Sequence, residues 1–192
     1  MRRRLLDATV ATLSEKGYGA TTTLEVQRRA GVSRGALLHQ FASRSELILA
    51  AVDYLSAQRA TEVILIARAS APGSGRIEWA VRVLWSTFEG PLFTASLELW
   101  MAARYDPELL AALLPHERIL GQTIRGVATE LFGQQFASQA GFDDAFELLA
   151  DAMRGAAARA VLRSAVGDER LVKQWVRLIR DRLEAQDQQP AG

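Results

Sequence analysis

The run Thr22-Thr23-Leu24-Glu25-Val26-Gln27-Arg28-Arg29-Ala30-Gly31-Val32-Ser33-Arg34-Gly35-Ala36-Leu37-Leu38-His39-Gln40-Phe41-Ala42-Ser43-Arg44-Ser45-Glu46-Leu47 decides the fold. Thr22-x-x-Glu25 and Ser43-x-x-Glu46 have the spacing of capping boxes, in which a hydroxyl and a carboxylate satisfy orphan amides at a helix start. Gly31 supplies the left-handed residue that ends a helix, and Ser33 caps the next one, which carries Leu37, Leu38 and Phe41. Two helices joined by a turn of three or four residues containing glycine make a helix-turn-helix, whose second helix reads DNA.

Upstream, Leu6, Val10 and Leu13 repeat at helical spacing and predict a first helix from about Arg3 to Lys16, stopped at Gly17. Downstream, Leu47, Ile48, Ala51, Val52 and Leu55 make a fourth helix that leads into the rest of the chain. Loop signals at 71–75, Gly90-Pro91 and Asp106-Pro107 predict helices over 76–89 and 92–105, then a segment over 107–132 that Pro115 should kink or split. Two last helices, 143–166 and 168–187, form a hairpin across Gly167 with Asp168 as N-cap. The expectation is an all-α protein of about nine helices. Residues 1–46 form the DNA-binding domain, 47–188 the effector-binding and dimerisation domain, and 189–192 a tail.

Composition narrows the function classes. The chain is 49% hydrophobic and 23% charged with five Pro, enough apolar surface for a sizeable core. There is no Cys, so no disulfide, thiolate metal site or cysteine nucleophile, which fits a cytoplasmic location. Charged residues interrupt every apolar stretch, which excludes a membrane span, and Asp7, Thr9 and Thr12 break the signal-peptide pattern. Residues 1–52 hold eight Lys/Arg against four Asp/Glu, whereas residues 53–192 hold fifteen against eighteen. The basic front is the end expected to approach polyphosphate.

The ordered group Ala30-Gly31-Val32-Ser33-x-Gly35, then Leu37-x-His39-x-Phe41, then Ser43-Arg44 and Leu47, resembles the TetR family signature. Leu97 to Arg104 followed by Asp106-Pro107-Glu108-Leu109 is similar to ligand domains of that family. The resemblance implies a one-component transcriptional regulator in which a three-helix DNA-binding domain is joined to a helical domain that senses a small molecule and dimerises. It also implies that His39 faces DNA. Two departures stand out: the family usually has a phosphate-contacting tyrosine where this chain has Leu38, and a small alanine where it has Gln27. Affinity should then lean on Arg28, Arg29 and Arg44.

In a helix-turn-helix the start of the second helix enters the major groove, which exposes Ser33, Arg34, Gly35, Ala36, His39 and Gln40. Arg34 suits guanine O6 and N7, Gln40 adenine, and Ala36 a thymine methyl, while Gly35 permits close approach. Arg34 touching phosphate alone is an equal alternative. Thr22, Thr23 and Arg44 stand at helix starts, where they cap, clamp phosphate or do both, and Leu38 completes the expected DNA-facing set.

Trp79, Trp85, Phe88, Phe93, Trp100, Met101 and Tyr105 put many large apolar groups in a short stretch. Plain core is the default for each; together with Arg104, His116 and Glu117 they fit a site for a mostly apolar ligand among the fifth to eighth helices. Glu98 and Arg125 are candidates for a surface ion pair. Val172, Trp175, Val176, Ile179 and Leu183 form one apolar stripe, and Ala152, Gly155, Ala156 and Leu162 lie along a second. Both stripes suit a two-fold four-helix dimer interface, with intrachain core as the competing use.

The leading function is a homodimeric repressor of a pseudo-palindromic operator, released by a small effector. An activator or ligand-independent DNA-binding protein is the runner-up. A small helical enzyme or carrier is disfavoured by two His, no Cys, no Glu-x-x-His pair and no phosphate-cradling glycine loop, and nothing points to a metal or cofactor.

Overall fold

The computed structural model describes residues 1–160 and 169–187. Among these it contains ten helices and no strand: α1 Arg2–Ala20, α2 Thr23–Ala30, α3 Arg34–Gln40, α4 Arg44–Ser70, α5 Arg76–Ser86, α6 Pro91–Ala103, α7 Pro107–Phe132, α8 Gln134–Ala137, α9 Phe142–Ala160 and α10 Glu169–Asp187. The chain forms two compact units, one from Met1–Arg59 with Gly90–Thr123, the other from Ala60–Glu89 with Ile124–Gly192. Both α4 and α7 pass from one unit into the other.

In the first unit the apolar side of α1 is entirely covered at Leu5 and nearly so at Leu13. Thr9 and Thr12 are buried with it because their hydroxyls donate back to the carbonyls of Leu5 and Ala8, both at 2.7 Å. A front cluster joins Leu5, Leu6 and Val10 to Val26, Leu37, Phe41 and Leu47. A second cluster joins Leu13, Ile48 and Val52 to Leu99 of α6 and to Leu109 and Leu113 of α7.

Gly17 breaks α1 where the sequence predicts, at φ 77°, but a further turn carries the helical segment on to Ala20. The freed amide of Tyr18 donates to Glu98 Oε2 of α6 at 3.0 Å. The left-handed φ favours glycine there, and a Cβ on Gly17 would lie 2.8 Å from that oxygen and push the carboxylate off the amide.

In the second unit, α10 packs on α5 and α9. Trp85 of α5 meets Trp175 of α10 with ring centroids 4.9 Å apart, and Phe132, Phe142 and Phe146 form an aromatic cluster with centroids 5.4 to 6.5 Å apart. Arg76 donates to the carbonyls of Glu130 at 2.7 Å and Leu131 at 2.8 Å, satisfying acceptors that the end of α7 leaves open.

Several boundaries differ from expectation. Of the two outcomes expected at Pro115, a kink or a split, the split does not occur: α7 is one element with Pro115 inside it. Proline leaves the carbonyl of Ala111 without its amide partner, and both residues are exposed, so water can take that bond. The short α8 is additional, and α5 stops at Ser86 instead of 89. Arg125 pairs with Asp143 and lies over the Phe142 ring, and Glu98 takes the Tyr18 amide, so the expected pairing of Arg125 with Glu98 is corrected. The predicted end of the eighth expected helix at 166, the turn at Gly167 and the cap at Asp168 lie outside the described residues.

Candidate nucleic-acid interface

Local chemistry sets the reading helix. Ser33 Oγ accepts from the Ala36 amide at 3.2 Å, and the Phe41 amide closes the last turn on the Leu37 carbonyl at 3.0 Å. Gly31 adopts φ 63° between α2 and α3. Thr22 Oγ1 accepts from the Glu25 amide at 3.2 Å, but the Glu25 carboxylate turns to Lys16 at 2.7 Å and Arg28 at 3.2 Å, so only half of that capping box forms. In the second box Ser43 Oγ accepts from the Glu46 amide, and Glu46 accepts from the Ala42 amide at 2.7 Å.

Most of the basic front is committed to holding this arrangement. Arg4 donates to the Ala30 carbonyl at 2.6 Å, tying α1 to the turn. Arg2 lies 4.4 Å from the Phe41 ring centroid, and Arg29 makes a bidentate pair with Glu15, both bonds 2.6 Å. Arg44 donates to the Thr21 carbonyl at 2.7 Å and to the Tyr18 carbonyl, with its guanidinium over the Tyr18 ring. Hydrogen bonding from Arg29 holds the Glu15 carboxyl below its ordinary range, and hydrogen bonding from Lys16 does the same for Glu25. Arg2 and Arg4 are contributors that sequence reasoning did not single out, because the Gln40 and Ala30 carbonyls to which they donate lie 38 and 26 residues away.

Part of the predicted set faces outward. Ser33, Arg34, Gly35, Leu38 and His39 are exposed, and Ala36 and Gln40 are half-buried. Among the described residues nothing pairs with the Arg34 guanidinium. Thr22 is exposed and Thr23 half-buried at the start of α2, while Arg44 is half-buried in its clamp.

The predicted effector residues divide between the units. In the first, Trp100 Nε1 donates to Glu117 Oε1 at 2.9 Å, and Phe93 meets Trp100 edge-on at 6.5 Å. His116 Nδ1 lies 2.5 Å from Asp53 Oδ2. Met101, Arg104 and Tyr105 are exposed, Tyr105 at 84%, with Arg104 over the Tyr105 ring. In the second unit Trp85 stacks on Phe88 with centroids 5.9 Å apart, and Trp79 is half-buried. The Trp85 indole nitrogen is buried without a hydrogen-bond partner.

Val172, Trp175, Val176 and Ile179 are at most 6% exposed within the single chain, and Ala156 is 8% exposed. Ala152 is half-buried and Gly155 exposed. Leu162 and the side chain of Leu183 lie outside the described residues. No described helix is long and apolar enough to cross a membrane.

Residues 5–51 match the family model described as bacterial regulatory proteins, tetR family. The HTH-type transcriptional regulator BetI of Escherichia coli is 28% identical over 146 residues, spanning 73% of this chain and 74% of the relative. A transcriptional regulator from Rhodococcus sp. Rha1 has a TM-score of 0.67 at 22% identity, covering 98% of this chain and 99% of that one. The multidrug binding protein EbrR, complexed with ethidium, has a TM-score of 0.63 at 20% identity, covering 93% and 96%. At these identities the two structures bear on the fold alone.

Proposed function

We propose that the chain is a DNA-binding transcriptional regulator of the TetR type, a homodimeric repressor released from its operator by a small, mostly apolar effector. The observation that carries the proposal is α3 itself: a short capped helix, buried through Leu37, that holds Arg34, Leu38 and His39 outward with no described partner for the Arg34 charge. Arg34 reads a base edge, and Ser33, Gly35, Ala36, His39 and Gln40 line the groove contact. Thr22, Thr23 and Arg44 support phosphate contacts at the helix starts. Functionally, residues 1–46 address DNA and residues 47–188 hold the effector and dimer faces.

For dimerisation the buried stripe of α10 is already covered by α5 and α9, so a partner must meet the flanks. Leu148, exposed at 41%, with Ala152 and Gly155 on α9, and half-buried Leu171 and Leu178 on α10, supply that surface. Two copies then present recognition helices to successive major grooves about 34 to 36 Å apart.

Effector binding is supported by the aromatic groups of both units. Helix α4 starts at the Ser43 cap and runs unbroken to Ser70, so it carries residues of both units. An effector that favours a DNA-incompetent state must do so by about 5.5 kcal/mol to move the population from nearly all competent to nearly all incompetent.

The test selects a duplex from a random pool with the full chain, then titrates it by fluorescence anisotropy at several salt concentrations, alone and with a panel of apolar aromatic compounds. Tight binding that weakens steeply with salt, and a compound that lowers affinity and is itself bound more weakly in the presence of the duplex, support the proposal. A chain that selects no duplex overturns it.

A further inference from the structure

Between Arg2 and Leu47, the large hydrophobic side chains lie inside with two exceptions, Leu24 at 61% and Leu38 at 49% exposure. Leu38 follows Leu37, which is 1% exposed, and adjacent helical residues point about 100° apart. The helix has no freedom to exchange them. Its start is capped by Ser33, and its end is closed by Phe41, itself 1% exposed beneath Arg2. Rolling α3 to cover Leu38 would expose Leu37 and pull Phe41 from the front cluster.

Leu38 therefore points outward by register, one turn beyond Arg34 and on the same side of α3. Its side chain neither donates nor accepts a hydrogen bond, so it gains nothing from phosphate oxygens or from the polar edges of guanine, cytosine and adenine. The major groove offers one apolar group on its base edges, the C5-methyl of thymine. We propose that Leu38 is a specificity residue that reads a thymine methyl group, so that each operator half-site carries a thymine one helical turn along the reader from the base that Arg34 contacts.

This inference rests on the DNA-binding reading and is tested separately from it. A duplex selected with the full chain is remade with each thymine replaced in turn by uracil, which keeps the pairing and removes only the methyl. For the wild-type chain, one substitution per half-site should weaken binding about fourfold, the worth of one buried methyl group. Leu38→Ala, which alters both protomers, should bind the thymine duplex more weakly by about the square of that factor, roughly sixteenfold, and no longer distinguish it from the uracil duplex, with an unchanged thermal melt because the position is exposed.

Wild-type binding that is indifferent to uracil at every position overturns the inference while leaving the regulator intact. So does discrimination that survives in Leu38→Ala, including the case where Ala36→Gly abolishes it instead. Failure to select any duplex overturns the regulator reading and this inference together.

Discussion

Helices α3 and α10 both carry residues that the sequence marks for recognition, yet the fold treats them in opposite ways. On α3 the marked residues stand outward and a single leucine, Leu37, anchors the helix. On α10 the marked residues Val172, Trp175, Val176 and Ile179 are the anchor, covered by α5 and α9 of the same chain. An apolar stripe announces that a helix has a buried side and says nothing about which chain buries it. A polar, exposed side on a helix too short to stand alone is the stronger sign of a partner, because something other than its own stability keeps those side chains there.

The largest effect that sharpens this contrast comes from placing a charge on each side of the α9–α10 pair. Ile179→Glu should destabilise the single chain by roughly 3 kcal/mol or more, since an uncompensated charge replaces a fully buried side chain. Leu148→Glu should lower the thermal melt far less than Ile179→Glu does, and convert the proposed dimer to monomers in light scattering. A Leu148→Glu protein that stays dimeric would move the interface elsewhere.

Adjacent residues on α3 should differ next. Leu37→Ala should cost about 3 kcal/mol in denaturant unfolding, from lost transfer energy and a cavity, whereas Leu38→Ala should cost almost nothing. Equal losses would mean that α3 is not anchored as described.

Arg44 and Arg34 form a smaller contrast. Arg44→Ala removes charged donors from the carbonyls of Tyr18 and Thr21 and should cost about 2 kcal/mol of stability, weakening all DNA sequences alike. Arg34→Ala should melt like the wild type and lose about 1 to 3 kcal/mol of discrimination among operator variants in binding titrations. Retained discrimination would return Arg34 to a phosphate contact.

Smallest is a pH effect. Arg29 and Lys16 lower the pKa values of Glu15 and Glu25 below the ordinary 4.5, and Arg68 and Arg82 do the same for Glu130 and Glu169. Groups whose pKa is depressed by folding contribute stability above the ordinary value and lose it as pH falls through the folded one. Melting temperature should therefore drop below about pH 4.5, less steeply in 1 M salt, because these pairs are exposed and screened. A salt-independent acid limb would assign the loss to other groups.

What the sequence disclosed follows the reach of each interaction. Ser33, Ser43 and Gly31 act within three or four residues, so spacing alone revealed α2, α3 and the start of α4. Arg4 to Ala30, Arg44 to Tyr18 and Glu98 to Tyr18 span 26, 26 and 80 residues, and no local pattern encodes them. The outward placement of Arg34 and His39 was legible because a helix-turn-helix has only one free side. Which aromatics gather was not: Phe93, Trp100 and Glu117 meet in one unit, and Trp85, Phe88 and Trp175 in the other, although several are neighbours in the chain. Pro115 left a kink and a split both open, and the helix is not split because a proline on an exposed side of a long helix removes one hydrogen bond without removing the helix.

The carboxylate of Glu98 on the Tyr18 amide bears on how such a reader can be transplanted. A protein engineer grafting a new DNA specificity would be tempted to cut after α3 and treat the front as a cassette. Here the bend at Gly17 is shaped around a side chain contributed 80 residues later, and Leu13 and Ile48 rest on Leu99 and Leu109. A chimera that imports α1 to α3 alone would set a foreign bend against Glu98. One that imports α6 with them keeps the amide, the glycine and the carboxylate as a matched set, and lineages exchanging specificities would be expected to change those positions together.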